Sequence, residues 1–113
     1  MMCVEMKVID GIPVISLKGR IDFKNSGKVT EKMDKAADEG SQLAVDCTHL
    51  EYISSSGLRS ILLLMKKMSK IGGKLAFWGI NPDIMQVLEM TGIKDLMIIC
   101  NNQDEAKAKI TGE

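Results

Sequence analysis

Apolar and polar residues alternate at the start of the chain: Met2, Val4, Met6 and Val8 fall on one side, Cys3, Glu5 and Lys7 on the other. A period of two predicts a half-buried β-strand. Asp10-Gly11 follows, a pair suited to a tight hairpin because both central positions of such a turn need φ > 0. Ile12 to Lys18 predicts a second strand, with Pro13 near its start, where a missing N–H is tolerated.

From residue 26 the period changes. Val29, Met33, Ala36 and Ala37 follow the i, i+4, i+7, i+8 spacing of a helix face, and Gly40 supplies a stop. Leu43-Ala44-Val45 predicts a short buried strand ending near Asp46-Cys47, with Thr48 to Tyr52 as a loop. The most apolar helix is expected next, from about Ser56 to Ile71, with Leu58, Ile61, Leu62, Met65 and Met68 on one face. Lys66, Lys67 and Lys70 gather in its last turns, where cations offset the helix dipole, and Gly72-Gly73 ends it.

Lys74 to Trp78 predicts a fourth strand. Asn81-Pro82 opens a helix, with Asn as N-cap and Pro at the first helical position. Ile84, Val87, Leu88 and Thr91 form its inward face and Gly92 its stop. Leu96 to Cys100 predicts a fifth strand, and Asn102 with Glu105 resembles a capping box before a short last helix. The order is β-β-α-β-α-β-α-β-α, an α/β fold with helices packed against a mixed β-sheet.

Composition narrows the picture. At 113 residues the chain suits a single domain spanning 1-113, since domains commonly run to roughly 100–150 residues. An apolar share of 45% permits a continuous core without metals or disulfides. Fifteen Lys and Arg balance fifteen Asp and Glu, so no overall charge draws the chain to nucleic acid or an anionic membrane. The longest apolar run, Ile61 to Met65, is far short of the roughly 20 residues that span a bilayer. MMCVEM has Glu5 and no basic flank, so neither a signal peptide nor membrane insertion is expected. Cys3, Cys47 and Cys100 are odd in number and lack CxxC spacing, which suits reduced thiols in a cytoplasmic protein. The nine methionines are expected to fill core gaps.

The segment richest in chemistry is Tyr52-Ile53-Ser54-Ser55-Ser56-Gly57-Leu58. Three consecutive hydroxyls stand where helix N–H groups lack partners, and Ser side chains cap such groups well. The same position favours an added negative charge and would accommodate a phosphoserine. Both readings fit the residues.

Leu43-Ala44-Val45-Asp46-Cys47, the following segment and Ser54-Ser55-Ser56-Gly57-Leu58 together resemble the STAS domain family, and within it the stand-alone anti-sigma factor antagonists. That family has a strand, a short loop and Asp-Ser-Ser-Gly-Leu opening a long helix. Leu17-Lys18-Gly19-Arg20-Ile21-Asp22 resembles its Gly-x-hydrophobic-Asp signature. Gly72-Gly73-Lys74-Leu75 and Val87-Leu88-Glu89-Met90-Thr91-Gly92-Ile93 match its later segments. The resemblance implies a partner-switching protein that binds an anti-sigma factor with serine kinase activity and so frees a sigma factor. By position Ser55 is the implied phosphoacceptor, with Asp22, Ser54, Ser56 and Gly57 completing the switch loop; a serine phosphatase would reset it. No catalysis, cofactor, metal or direct nucleic-acid contact is implied. The family's aspartate is Ser54 here, a departure that keeps open a non-catalytic scaffold in a lipid-transport or stress-sensing assembly.

An enzyme has little to build on. His49 is expected on a loop beside Glu51, but nothing supplies a partnered nucleophile. Ser54 to Gly57 also lacks the Gly and Lys positions of a phosphate-binding loop.

Overall fold

The computed structural model describes residues 2–112, and the side chains from residue 4 onward. Whatever the expectations for the Met2 and Cys3 side chains, they lie outside the described residues. The elements run β1 (Met2–Ile9), β2 (Ile12–Ile21), α1 (Ser26–Asp38), β3 (Gln42–Ile53), α2 (Ser55–Lys70), β4 (Lys74–Trp78) and α3 (Pro82–Thr91). A 3-10 turn (Ile93–Leu96), β5 (Ile99–Cys100) and α4 (Gln103–Thr111) complete the chain. The mixed α/β fold class and the element order expected from the sequence are those observed.

One sheet carries the strands in the order β1-β2-β3-β4-β5, with β1 antiparallel to β2 and the other pairs parallel. Asp10 and Gly11 turn the hairpin with φ of 52° and 81°, as the dipeptide requires. Each parallel step to the next strand passes through one helix. Right-handed crossovers in one direction along a sheet place α1, α2 and α3 on the same face. There Val29, Met33, Ile61, Leu64, Met68, Ile84 and Leu88 pack against Ile15, Leu17, Leu43, Val45 and Phe77. α4 covers the opposite face, where Ala106 and Ile110 meet Val14, Ala44, Ala76 and Trp78. Strands covered on both sides bury successive residues, and Val14 to Leu17 are all buried.

Several expectations need correction. β3 does not end near Cys47: Thr48 to Tyr52 is strand, and β2 continues beyond Lys18 to Ile21. Register shifts between Ser16 and Lys18 and between Gly19 and Arg20 explain the miss. They space the buried residues Cys47, Leu50 and Ile53 by three, which hides a period of two. Leu62 is exposed, because α2 centres its buried stripe on Leu58, Ile61, Leu64 and Met68. The expected strand Leu96 to Cys100 shrinks to Ile99–Cys100, since the turn after Gly92 leaves only these residues beside Phe77 and Trp78. Met6 and Val8 are exposed because β1 is the sheet edge, and among the described residues of that row only Val4 reaches the core. Thr91 is exposed and turns its hydroxyl back to the Val87 carbonyl at 2.8 Å. Only half of the expected capping box forms: Asn102 accepts from the Glu105 N–H at 2.8 Å, while the Glu105 carboxylate accepts from Asn101.

Candidate functional site: the serine loop at the start of α2

The C-terminal ends of β2 and β3 bring two loops together. The Ser54 N–H donates to the Ile21 carbonyl at 2.8 Å, which fastens the serine loop beside the Asp22 turn. Asp22 serves that turn: one carboxylate oxygen accepts from the N–H groups of Lys24 (2.9 Å) and Asn25 (3.0 Å). Asn25 answers by accepting from the Asp22 N–H at 2.9 Å and donating to the Arg20 carbonyl at 2.8 Å. Asp22 is therefore next to the serines through the backbone, with its charge turned into its own loop.

The three serines have separate roles. Ser54 is the N-cap of α2, with extended backbone, and its hydroxyl accepts from the Gly57 N–H at 3.2 Å. The Ser56 hydroxyl lies 2.8 Å from the Ser54 hydroxyl, so both are engaged. Ser55 is the first helical residue; it is exposed, and its hydroxyl makes no hydrogen bond among the described residues. Its position at a helix N-terminus, with no acidic residue in the first turn, favours an added negative charge.

Gly57 holds the loop against the sheet. A Cβ there would stand 2.6 Å from Ile53 Cγ1 and 2.7 Å from Ile21 Cγ2. Only a residue without a side chain allows α2 to start this close to the two strand ends.

Around the loop the surface mixes apolar and cationic groups. Phe23 is 84% exposed, and the Arg20 guanidinium lies 4.3 Å from the centre of the Tyr52 ring. Arg59, Leu62 and Leu63 continue the exposed side of α2 one and two turns beyond Ser55. The sequence gives no signal for Phe23, and it names Arg20 and Tyr52 within motifs without pairing them; the two strands had to be extended past their apparent ends before Arg20 and Tyr52 became neighbours.

His49 and Glu51 lie on β3, not on a loop, and are exposed beside a wide polar depression bordered by Lys18, Thr48 and Asn81. The Cys47 thiol is pushed up to about 12, first by burial and then by the charge of Asp46, and is therefore no nucleophile at neutral pH. Among the described residues no group of three or more His, Cys, Asp or Glu side chains is placed to hold a metal ion.

The sheet order and the helix-opening serine loop define a small α/β domain with a capped helix start exposed at the C-terminal ends of two parallel strands. The STAS domain model matches residues 4–106, and the chain belongs to that family. BtrV of Bordetella bronchiseptica is 30% identical over 104 residues, covering 91% of this chain and 90% of that protein. The anti-sigma F factor antagonist of Paenibacillus polymyxa is 28% identical over 109 residues, covering 95% and 93%. An anti-sigma factor antagonist from Mycobacterium paratuberculosis has the same fold, with a TM-score of 0.87 at 19% identity over 98% of this chain and 95% of that one. Among the described residues no helix is long and apolar enough to cross a membrane.

Proposed function

We propose that this chain is an anti-sigma factor antagonist whose serine loop docks on an anti-sigma factor and is switched by phosphorylation of Ser55. The observation that carries the choice of residue is the division of labour among the serines. The Ser54 hydroxyl is held by the Ser56 hydroxyl and accepts from the Gly57 N–H, whereas Ser55 is exposed and its hydroxyl makes no hydrogen bond among the described residues. A kinase reaches Ser55 without dismantling the cap.

The family resemblance and the relatives' names support the partner class. In its unmodified form the protein occupies the anti-sigma factor and frees the sigma factor. Transfer of the terminal phosphoryl group of ATP to Ser55 Oγ releases ADP and the hydroxyl proton and leaves a phosphoserine at the helix N-terminus. That group carries about −1.5 to −2 charges at neutral pH. Arg59 lies four residues along α2, at the spacing where side chains on a helix meet, so the phosphate has a cation one turn away. The domain keeps its fold while the docking surface gains this negative charge. A serine phosphatase restores the binding form. The cytoplasm, where sigma factors act, is the compartment this reading requires.

The test is to incubate the protein with an anti-sigma factor kinase and ATP and to locate the label by peptide mass spectrometry. One phosphate on Ser55, absent from Ser55→Ala, is the expected result. A phosphate on Ser54 or Ser56 contradicts the assignment. No label, with a kinase that modifies a known substrate in parallel, favours the scaffold reading raised by Ser54 standing where the family has aspartate.

A further inference from the structure

Strand β1 is an edge of the sheet, and its outer side has the features of a pairing surface. The hairpin closes through two residues, Asp10 and Gly11, with Ile9 opposite Ile12. In such a turn the closing pair exchanges both of its backbone hydrogen bonds, and bonded and unbonded pairs alternate from there. Ile9, Lys7 and Glu5 therefore direct their backbone groups to β2, while Val8, Met6 and Val4 direct theirs outward. The Val4 carbonyl fits this parity, since it accepts from Lys32 Nζ at 3.4 Å. Met6 and Val8 are also exposed as side chains, at 44% and 69%.

The segment Val4-Glu5-Met6-Lys7-Val8 is complementary to itself when reversed. An antiparallel pairing of two β1 strands centred on Met6 sets Val4 opposite Val8 and Glu5 opposite Lys7, each twice. Moving the centre to Glu5 sets two carboxylates against each other; moving it to Lys7 sets two ammonium groups against each other. The Glu5–Lys7 pairs fall at positions without backbone bonds, where side chains approach most closely and charge counts most.

We infer that this edge is a self-association surface on which a second copy of the chain pairs β1 to β1, antiparallel and centred on Met6. Two five-stranded sheets then become one continuous sheet. Glu5 keeps its 3.5 Å contact with Lys18 of its own chain and gains Lys7 of the second copy on the same face. Met6 and Val8 extend the row that begins with Val4 at the core, so the pairing also covers apolar surface. Lys32 must leave the Val4 carbonyl; its long, exposed contact gives way to a backbone N–H of better geometry. The serine loop sits at the far ends of β2 and β3, so this inference does not depend on the switch.

Sedimentation velocity of the whole chain, from micromolar to millimolar concentration, tests it. The parent should pass from monomer to dimer. Glu5→Lys and Lys7→Glu should each weaken association roughly tenfold or more, equivalent to about 1.4 kcal/mol, because each sets like charges opposite. An equimolar mixture of these two variants should recover the dimer, which misfolding of either would prevent. Met6→Pro removes an outward N–H and no bond to β2, and should remain monomeric with an unchanged circular dichroism spectrum. A parent that stays monomeric throughout overturns the proposal. So do single variants or Met6→Pro that dimerise like the parent, and so does a mixture that stays apart.

Discussion

At Gly57 the absence of one methyl group decides where a helix can begin. Its neighbours at the would-be Cβ are the buried side chains of Ile21 and Ile53, which end the two strands that carry the site. Gly57→Ala forces these side chains or the first turn of α2 to move, and overpacking of this kind typically costs about 1–3 kcal/mol. Urea denaturation should show the midpoint falling by that equivalent, even though alanine is the better helix former. An unchanged or raised midpoint would mean that the loop has slack. Three residues earlier, Ser54 shows how a departure from the family pattern leaves the geometry intact. A serine hydroxyl caps the Gly57 N–H as a carboxylate would. What the substitution removes is the charge, and with it any part that charge takes in guiding a kinase.

Between elements, the contact that matters most for the site joins α1 to α2. Ser60 is buried, and its hydroxyl lies 2.5 Å from that of Thr30 and 3.2 Å from the Ser56 carbonyl. The Asp22 turn leads into α1 and the serine loop into α2, so this bond keeps the two loops in register. A cycle of Thr30→Val, Ser60→Ala and the double variant should give a coupling energy of about 0.5–1.5 kcal/mol by denaturant unfolding; additive single effects would show that the hydroxyls act separately. Further along, Lys67 meets Asp34 at 2.8 Å and Asp38 at 2.7 Å. These hydrogen bonds raise the Lys67 pKa above its ordinary value. The contribution is therefore complete at neutral pH and is lost only as pH rises through that raised value.

Elements were legible where one face was buried and the period stayed regular. Val29, Met33, Ala36 and Ala37 are the buried residues of α1, and Asn81, Pro82 and Gly92 bound α3. Legibility failed where the backbone broke its own period, at the β2–β3 bulges, and where apolar residues at the end of the 3-10 turn before β5 stay exposed, as Leu96 and Ile98 do. The candidate site followed the same rule. The serines and Gly57 stand in one local motif, whereas Arg20 and Tyr52 meet only through a register that two irregularities set.

For the molecule as a whole, the proposed switch must change a surface without unfolding a domain. Phosphate at the start of α2 faces the positive end of the helix dipole, an interaction worth about 0.3–1 kcal/mol when exposed. Modification should leave the fold unharmed or slightly steadier, so loss of binding must arise at the interface. There the new charge meets partner groups or loses water, and a net cost of about 1.4 kcal/mol suffices for a tenfold change. The most direct measurement is calorimetric titration of an anti-sigma factor with the parent, Ser55→Ala and Ser55→Asp, each with a thermal melt. A surface switch predicts that Ser55→Ala binds like the parent and that Ser55→Asp binds at least about tenfold more weakly with its melting temperature within a few degrees. Ser55→Asp binding as tightly as the parent, or losing affinity only because it has partly unfolded, would contradict it.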